Sequence, residues 1–120
     1  MKIAFTASGD SLSAPLDPRF GRAPGFLIYD DETGTLKSVN NEQNLNAAQG
    51  AGIQSALLIC KQGVDCVITG HCGPKAFQTL TAGNVKVYDC KAETIEKAYE
   101  QFKAGELTEA EAANAEAHWV

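Results

Sequence analysis

Hydrophobic positions along the chain follow a period of two in several short stretches, which is the pattern of β-strands. In KIAFTAS, Ile3, Phe5 and Ala7 fall on one face and predict a first strand over Lys2–Ser8. GFLIYD and LKSVNN flank the tight turn ETGT, and we expect them to pair as an antiparallel hairpin. The fully apolar VDCVITG is typical of a strand at the centre of a parallel sheet, and VKVYD follows as the next strand.

Between and after these strands the apolar positions recur at helical spacing. In GIQSALLIC they recur at i, i+3, i+4 and i+7, which predicts a helix over about residues 50–62. Proline at its first turn favours a short helix over about residues 74–81. AETIEKAYEQFKAG predicts a further helix that ends at Gly105, and Thr108 with Glu111 is a capping-box pattern for a final alanine-rich helix.

The order of the predicted elements indicates the fold class. Three strands are followed by helix, strand, helix, strand and helix, and this alternation favours right-handed crossovers between parallel strands. Joined to the antiparallel hairpin, they form one mixed five-stranded sheet in an α/β domain. At 120 residues the chain needs no second domain. We therefore expect the domain to span residues 1–105 and residues 106–120 to form a helical tail.

Charge and composition argue against several classes of function. A net charge of −5 is unsuited to general binding of nucleic acids or anionic membranes, because those partners select for a basic face. No apolar run approaches the roughly 20 residues of a membrane-spanning helix. The start MKIAFTAS becomes polar too soon for a signal peptide, so we expect a cytoplasmic protein.

The four cysteines form no C-x-x-C pair, so neither a zinc ribbon nor a thioredoxin motif is supported, and we expect them to be reduced. Cys60 and Cys66 fall on the apolar helix stripe and in the buried strand, and are predicted to be core residues. Cys90 ends a strand and is ambiguous. Cys72 lies beside His71 in a loop near a helix start, and both features lower a thiol pKa. Whether this pair is functional or incidental stays open.

Glycine-rich segments are expected to meet at the carboxyl ends of the strands, where open α/β sheets bind ligands. They are the loop after the first strand, the helix entry at residues 50–52 and the loop at residues 70–73. Two of them lead into helix N-termini, which favour anions. Arg19, Arg22 and Lys75 would add full positive charges, so the pattern predicts an anion-binding pocket, although glycine before a helix is also ordinary turn chemistry.

Signatures of catalysis are scarce in the sequence. It has no serine in a nucleophile elbow and no H-E-x-x-H motif, and Asp10 and Asp17 have no evident base or metal partner. Binding is therefore favoured over catalysis.

Three segments, DPRFGRAPGFLIYD, GAGIQSALLICKQGVDCVITGHCGPKAF and VKVYD, together resemble the dinitrogenase iron-molybdenum cofactor biosynthesis family. The resemblance extends over about residues 2–105. It implies a ribonuclease-H-like three-layer α/β fold without nuclease activity, and non-enzymatic binding of an anionic metal–sulfur cluster. The implied cofactor is a mixed molybdenum–copper sulfide cluster, or the iron-molybdenum cofactor or its precursor. Implied protein partners belong to a cluster assembly pathway.

The family motifs correspond here to residues 19–24, 50–53 and 69–77. Many relatives carry histidine or glycine where this chain has Gln49, and the His71–Cys72 pair occupies positions that vary in the family. Both residues of that pair are therefore candidates from this sequence alone. The candidate cluster-binding residues are Arg19, Phe20, Gly21, Arg22, Gly50, Ala51, Gly52, Gly70, His71, Cys72, Gly73 and Lys75.

Three functions stay open at this point. The leading hypothesis is a cluster carrier that holds an anionic molybdenum-containing sulfide unit without a covalent bond. The second is a thiol-dependent transferase or redox protein that uses Cys72 with His71, since an imidazolium can stabilise a thiolate. The third is a scaffold that docks onto a protein partner through its acidic C-terminal helices.

Overall fold

The structure is a computed structural model that describes residues 1–45 and 50–110. Its strands are β1 (Lys2–Ala7), β2 (Gly25–Asp30), β3 (Thr35–Asn40), β4 (Cys66–Thr69) and β5 (Lys86–Asp89). Its helices are α1 (Glu42–Leu45), α2 (Ala51–Cys60), α3 (Pro74–Ala82) and α4 (Ile95–Lys103).

The five strands form one mixed sheet in the order β3-β2-β1-β4-β5. β2 pairs antiparallel with both β1 and β3, whereas β4 pairs parallel with both β1 and β5. The predicted α/β domain with a mixed five-stranded sheet is therefore confirmed. Because β1, β4 and β5 point the same way, the loops that follow them lie at one edge of the sheet.

Alternation along the strands places a hydrophobic core on each face of the sheet. Ile3, Phe5 and Ala7 share one face, as predicted, and pack with the buried side of α4. On the other face, the core contains Ala4 of β1 and Val67 of β4 together with the buried sides of α2 and α3. The domain thus has three layers, with the sheet between α2 and α3 on one side and α4 on the other.

The asparagine-rich segment after β3 contains a helical turn that the sequence pattern did not predict. The Asn40 side chain accepts a hydrogen bond from the Glu42 backbone N–H at 2.7 Å and so starts α1. This i to i+2 contact is an Asx-turn, which asparagine favours, and it leads the chain into α1. Four residues are too few for a periodic apolar pattern, so the sequence gives no helical signal here.

The end of the described chain returns to the sheet. The backbone N–H of Ala110 donates to the Val87 carbonyl at 2.8 Å, and Glu109 forms an antiparallel bridge with Tyr88. Residues 106–110 are therefore not helical. The helical tail predicted over residues 106–120 is therefore wrong for residues 106–110. Its remaining residues, 111–120, lie outside the described residues, and the domain boundary at residue 106 stays a prediction.

None of the helices in residues 1–45 and 50–110 combines the length and the apolar character that a bilayer crossing requires.

A polar cluster around Asp31 joins β1, β2 and α4 at the edge of the sheet where β1 begins. Asp31 Oδ1 accepts a hydrogen bond from the Met1 ammonium at 3.0 Å, and Oδ2 accepts one from the Tyr99 hydroxyl at 3.3 Å. Lys103 Nζ lies 3.5 Å from Oδ2. The hydrogen bond from the ammonium, reinforced by its charge and that of Lys103, lowers the Asp31 pKa from its ordinary value of 3.8.

We predict that Asp31→Asn lowers the Tm at about pH 7 and that this difference from the parent protein shrinks as the pH falls. A carboxyl group whose pKa is lowered by folding stabilises the fold above its unfolded pKa, and this contribution is lost as pH falls through the folded pKa. Thermal unfolding measured over a pH series checks this expectation. Asp10→Asn, which removes an exposed carboxylate, is the control and should show no such trend. A Tm difference that is constant with pH would contradict the prediction.

Candidate functional site

A cavity of about 730 Å³ lies where the loops after β1 and β4 meet the start of α2. This volume is in the range of small-molecule sites. Its lining comes from the loop after β1, the first turn of α2, and the β4–α3 connection with the first turn of α3. The lining residues are Arg19, Phe20, Gly21, Arg22, Gly50, Ala51, Gly52, Ile53, His71, Gly73, Pro74, Lys75 and Ala76.

Two helix N-termini face this cavity. Gly50 precedes α2 in the left-handed conformation, with φ of 74°, and Gly73 precedes α3 with an extended backbone. Neither helix start is capped by a side-chain hydrogen bond. The first-turn N–H groups of both helices, together with their partial positive charges, are therefore directed to the same space, which favours an anion.

The charged side chains around the cavity are all basic. Arg19, Arg22 and Lys75 are exposed and line it together with the exposed imidazole of His71, and its described lining contains no carboxylate. The protein as a whole is acidic, so positive charge is concentrated locally in this cavity. An anion would meet full charges at the rim and backbone dipoles at the two helix starts.

The loop after β1 is held against the helix starts by close backbone contacts. A Cβ added at Gly21 would lie 3.0 Å from both the Cα and the N of Gly52, and one added at Gly70 would lie 2.7 Å from Pro18 Cα. The Phe20 N–H also donates to the His71 carbonyl at 3.0 Å. Only glycine allows these approaches, because any side chain would push the segments apart.

A buried asparagine joins the same loop to α2. Asn41 is fully buried, and its Nδ2 donates to the Ala23 carbonyl at 2.9 Å and contacts Ser55 Oγ at 3.0 Å. The sequence analysis did not identify this residue. A single asparagine in an asparagine-rich segment gives no sign of burial, so only the fold shows that it links α2 to the loop.

The structure brings together ten of the twelve predicted site residues: Arg19, Phe20, Gly21, Arg22, Gly50, Ala51, Gly52, His71, Gly73 and Lys75. The other two, Gly70 and Cys72, do not line the cavity. Gly70 instead packs on Pro18. The prediction omitted three lining residues, Ile53, Pro74 and Ala76. All three lie in the first turn of α2 or α3, and each of these turns includes or follows a predicted glycine.

The expectation of a lowered thiol pKa at Cys72 is wrong. Its side chain is buried in the core on the α2 and α3 face, and burial, with a smaller effect of the Asp89 carboxylate, raises the pKa to about 12. Loss of hydration outweighs the nearby helix start because a thiolate in an apolar core is poorly solvated.

Cys66 is a core residue as predicted, whereas Cys60 is partly exposed, and all four cysteines are free thiols.

Within the described ranges, no three His, Cys, Asp or Glu side chains are grouped so that they could hold a metal ion.

Comparison with known proteins identifies the family of this chain. The model of the family described as dinitrogenase iron-molybdenum cofactor matches residues 1–105. The chain belongs to this dinitrogenase iron-molybdenum cofactor family. An uncharacterized protein of Methanocaldococcus jannaschii is 33% identical over 109 residues, which cover 89% of each chain.

Solved structures of related proteins share the fold. The apo form of the orange protein from Desulfovibrio gigas has a TM-score of 0.90 and 39% identity, and the match covers 94% of this chain and 95% of that one. The NMR structure of a Thermotoga protein of the DUF35 family has a TM-score of 0.79 and 35% identity, with coverage of 90% and 91%. The family resemblance inferred from the sequence motifs is thus confirmed.

We predict that Gly70→Ala lowers the free energy of unfolding of this family member by about 1–3 kcal/mol, because the new methyl group would overlap the backbone of Pro18. Gly73→Ala is the matched control in the same loop. A Cβ there meets nothing within 4 Å and the Gly73 φ of −70° suits alanine. Urea unfolding of both variants checks the prediction, and equal effects would contradict it.

We also predict that iodoacetamide modifies Cys60 well before Cys66 and Cys72 in the folded protein. Burial raises the pKa of both core thiols to about 12, so at about pH 8.5 only roughly one in a thousand or fewer is ionised. Mass spectrometry of peptides after timed alkylation measures the order. In denaturant all four should react alike, which controls for peptide recovery. Early modification of Cys72 in the folded protein would contradict the expectation.

Proposed function

We propose that this protein binds and carries an anionic molybdenum-containing metal–sulfur cluster, held without a covalent bond in the cavity formed by Arg19, Arg22, Lys75 and the starts of α2 and α3. Membership of the dinitrogenase iron-molybdenum cofactor family supports a cargo of this kind. The observation that carries the proposal is the convergence of two uncapped helix N-termini and three permanent cations on one cavity whose described lining has no carboxylate.

The chemistry of the lining suits a bulky sulfur-coated anion. Backbone N–H groups and guanidinium groups donate hydrogen bonds to anionic acceptors, and they can do so to sulfide without replacing any of the metal's own ligands. Phe20, Ile53 and Pro74 add apolar walls. A sulfide surface is soft and weakly hydrated, so contact with these walls costs less than it would for an oxyanion.

The position of Cys72 argues against the alternative that the protein is a thiol-dependent enzyme. A nucleophilic or redox-active cysteine needs an accessible thiolate, whereas this thiol is buried and its pKa is raised. His71 lies on the cavity rim and is exposed, so it remains a candidate contact for the cargo. The carrier proposal therefore assigns the protein no catalytic residue.

Several finer assignments belong to the proposal. The cargo is a molybdenum–copper sulfide cluster, or the iron-molybdenum cofactor or its precursor, delivered within a cluster assembly pathway. The strand order β3-β2-β1-β4-β5 supports the ribonuclease-H-like designation of the fold. Four free thiols suit a reducing compartment, which supports a cytoplasmic location.

Anaerobic reconstitution tests the proposal. The purified protein is mixed with tetrathiomolybdate, with and without a copper(I) salt, and separated by gel filtration. We expect a coloured species that co-elutes with the protein and shows a sulfide-to-metal charge-transfer band in the visible spectrum. The copper-free arm shows whether copper belongs to the retained unit. No metal retained in either arm would overturn the proposal for this class of cluster.

Charge removal at the cavity should weaken retention. Arg19→Ala and Arg22→Ala are each expected to raise the Kd for tetrathiomolybdate about tenfold, the size expected for a lost hydrogen bond from a charged group. Lys97→Ala removes one exposed charge from α4, on the far side of the sheet, and is the matched control. Cys72→Ser should have a smaller effect than either arginine variant. Complete loss of binding in a Cys72→Ser variant that keeps the parent circular dichroism spectrum and Tm would contradict non-covalent binding.

A further inference from the structure

A buried carboxylate lies directly beneath the rim of the cavity. The Asp17 side chain is 7% exposed, in contrast to Arg19, whose side chain is 66% exposed and lines the cavity. Asp17 itself does not line the cavity. A buried negative charge next to a site for an anion opposes binding by electrostatic repulsion. Asp17 can favour binding only through a second effect that is larger than this repulsion.

The backbone of Asp17 is fixed to the carboxyl ends of two neighbouring strands. Its N–H donates to the Thr6 carbonyl at 2.8 Å, and its carbonyl accepts from the Thr6 hydroxyl. Thr6 Oγ1 is in turn hydrogen-bonded to Thr69 Oγ1 at 3.0 Å, and both threonines are fully buried. Asp17 is therefore anchored to β1 directly and to β4 through Thr6, which makes it a rigid point in an otherwise irregular loop.

The carboxylate of Asp17 points at Arg19. Its Oδ1 accepts the Arg19 backbone N–H at 2.9 Å and lies 3.7 Å from Arg19 Nε, while its Oδ2 accepts the Ser8 hydroxyl at 3.3 Å. One oxygen thus contacts both the main chain and the guanidinium of the same arginine. This restricts the turn at residues 17–19 and the direction of the side chain that leaves it.

We propose that Asp17 is a positioning residue that holds the Arg19 guanidinium in place for the cargo before the cargo arrives. The inference rests on the proposed function of the cavity. A free arginine side chain loses much rotamer freedom when it binds an anion, and an ion pair made in advance reduces that loss. The binding free energy gained from this smaller entropy loss must exceed the repulsion between the Asp17 carboxylate and the anion. The Arg19 N–H and the Ser8 hydroxyl, which donate to the carboxylate, and the positive charge of Arg19 offset part of this repulsion.

A double-mutant cycle tests this role, with the Kd for tetrathiomolybdate as the readout. Asp17→Asn keeps an oxygen that can accept the Arg19 N–H but removes the ion pair with Nε. We expect it to raise the Kd about threefold to fivefold, the upper part of the range for an exposed ion pair. In an Arg19→Ala background, Asp17→Asn should have no further effect, whereas in an Arg22→Ala background its effect should persist.

Two outcomes of the cycle would overturn the proposal. Tighter binding by Asp17→Asn would mean that the carboxylate only subtracts positive charge from the cavity. An equal loss of affinity in the Arg19→Ala background would mean that Asp17 supports the loop as a whole. Asp17→Glu, which keeps the charge but displaces it by one methylene, should also weaken binding if position matters, and serves if Asp17→Asn fails to fold.

A measurement on the cargo-free protein separates this inference from the proposed function. ¹⁵N relaxation at Arg19 Nε should give an order parameter above about 0.6 in the parent protein and a lower value in Asp17→Asn. If the parent protein binds no tetrathiomolybdate but Arg19 loses order in Asp17→Asn, the proposed function fails and the positioning of Arg19 by Asp17 stands. A mobile Arg19 in the parent protein would overturn the positioning role even if the cargo binds.

Discussion

The parallel pairing of β1 with β4 is the constraint on which the cavity depends. It brings the loop after β1 and the connection after β4 to the same edge of the sheet. Since α2 leads into β4 and α3 leaves it, the two helices start at that same edge. The buried Thr6–Thr69 contact lies at the ends of this strand pair and fixes the base of the loop. A shift in register between β1 and β4 would separate the arginines from the helix dipoles.

Glycine residues allow the loop and the helix starts to approach closely, which leaves backbone groups accessible in the cavity. Gly21 rests on Gly52 and Gly70 on Pro18 at distances that no side chain permits, so the loop lies directly against the first turns of the helices. The basic side chains project from a scaffold whose own contacts are backbone to backbone. Local positive potential therefore arises in a protein whose overall charge is negative.

Much of the fold and most of the lining of the candidate site could be predicted because periodicity and glycine placement are local signals. Alternation placed Ile3 and Phe5 on one face, and the rule for strand carboxyl ends brought the three loops together. The roles of Cys72, Asn41 and Asp17 could not be predicted in the same way. Each depends on burial by residues distant in sequence, and burial reverses the expected pKa change at Cys72 and turns Asn41 and Asp17 into internal hydrogen-bonding partners.

The burial of Cys72 has a consequence for how a sulfide cargo would be transferred. Its sulfur faces the hydrocarbon of the core, so it offers no competing thiolate to a metal that already carries its own sulfides. Under the proposed function, a cluster would therefore leave the protein with the same inner ligands with which it entered. Release would then break only ion pairs and hydrogen bonds between the protein and the cluster. Higher ionic strength, or cationic side chains of a receptor, can weaken these contacts. No bond to the metal would have to be exchanged.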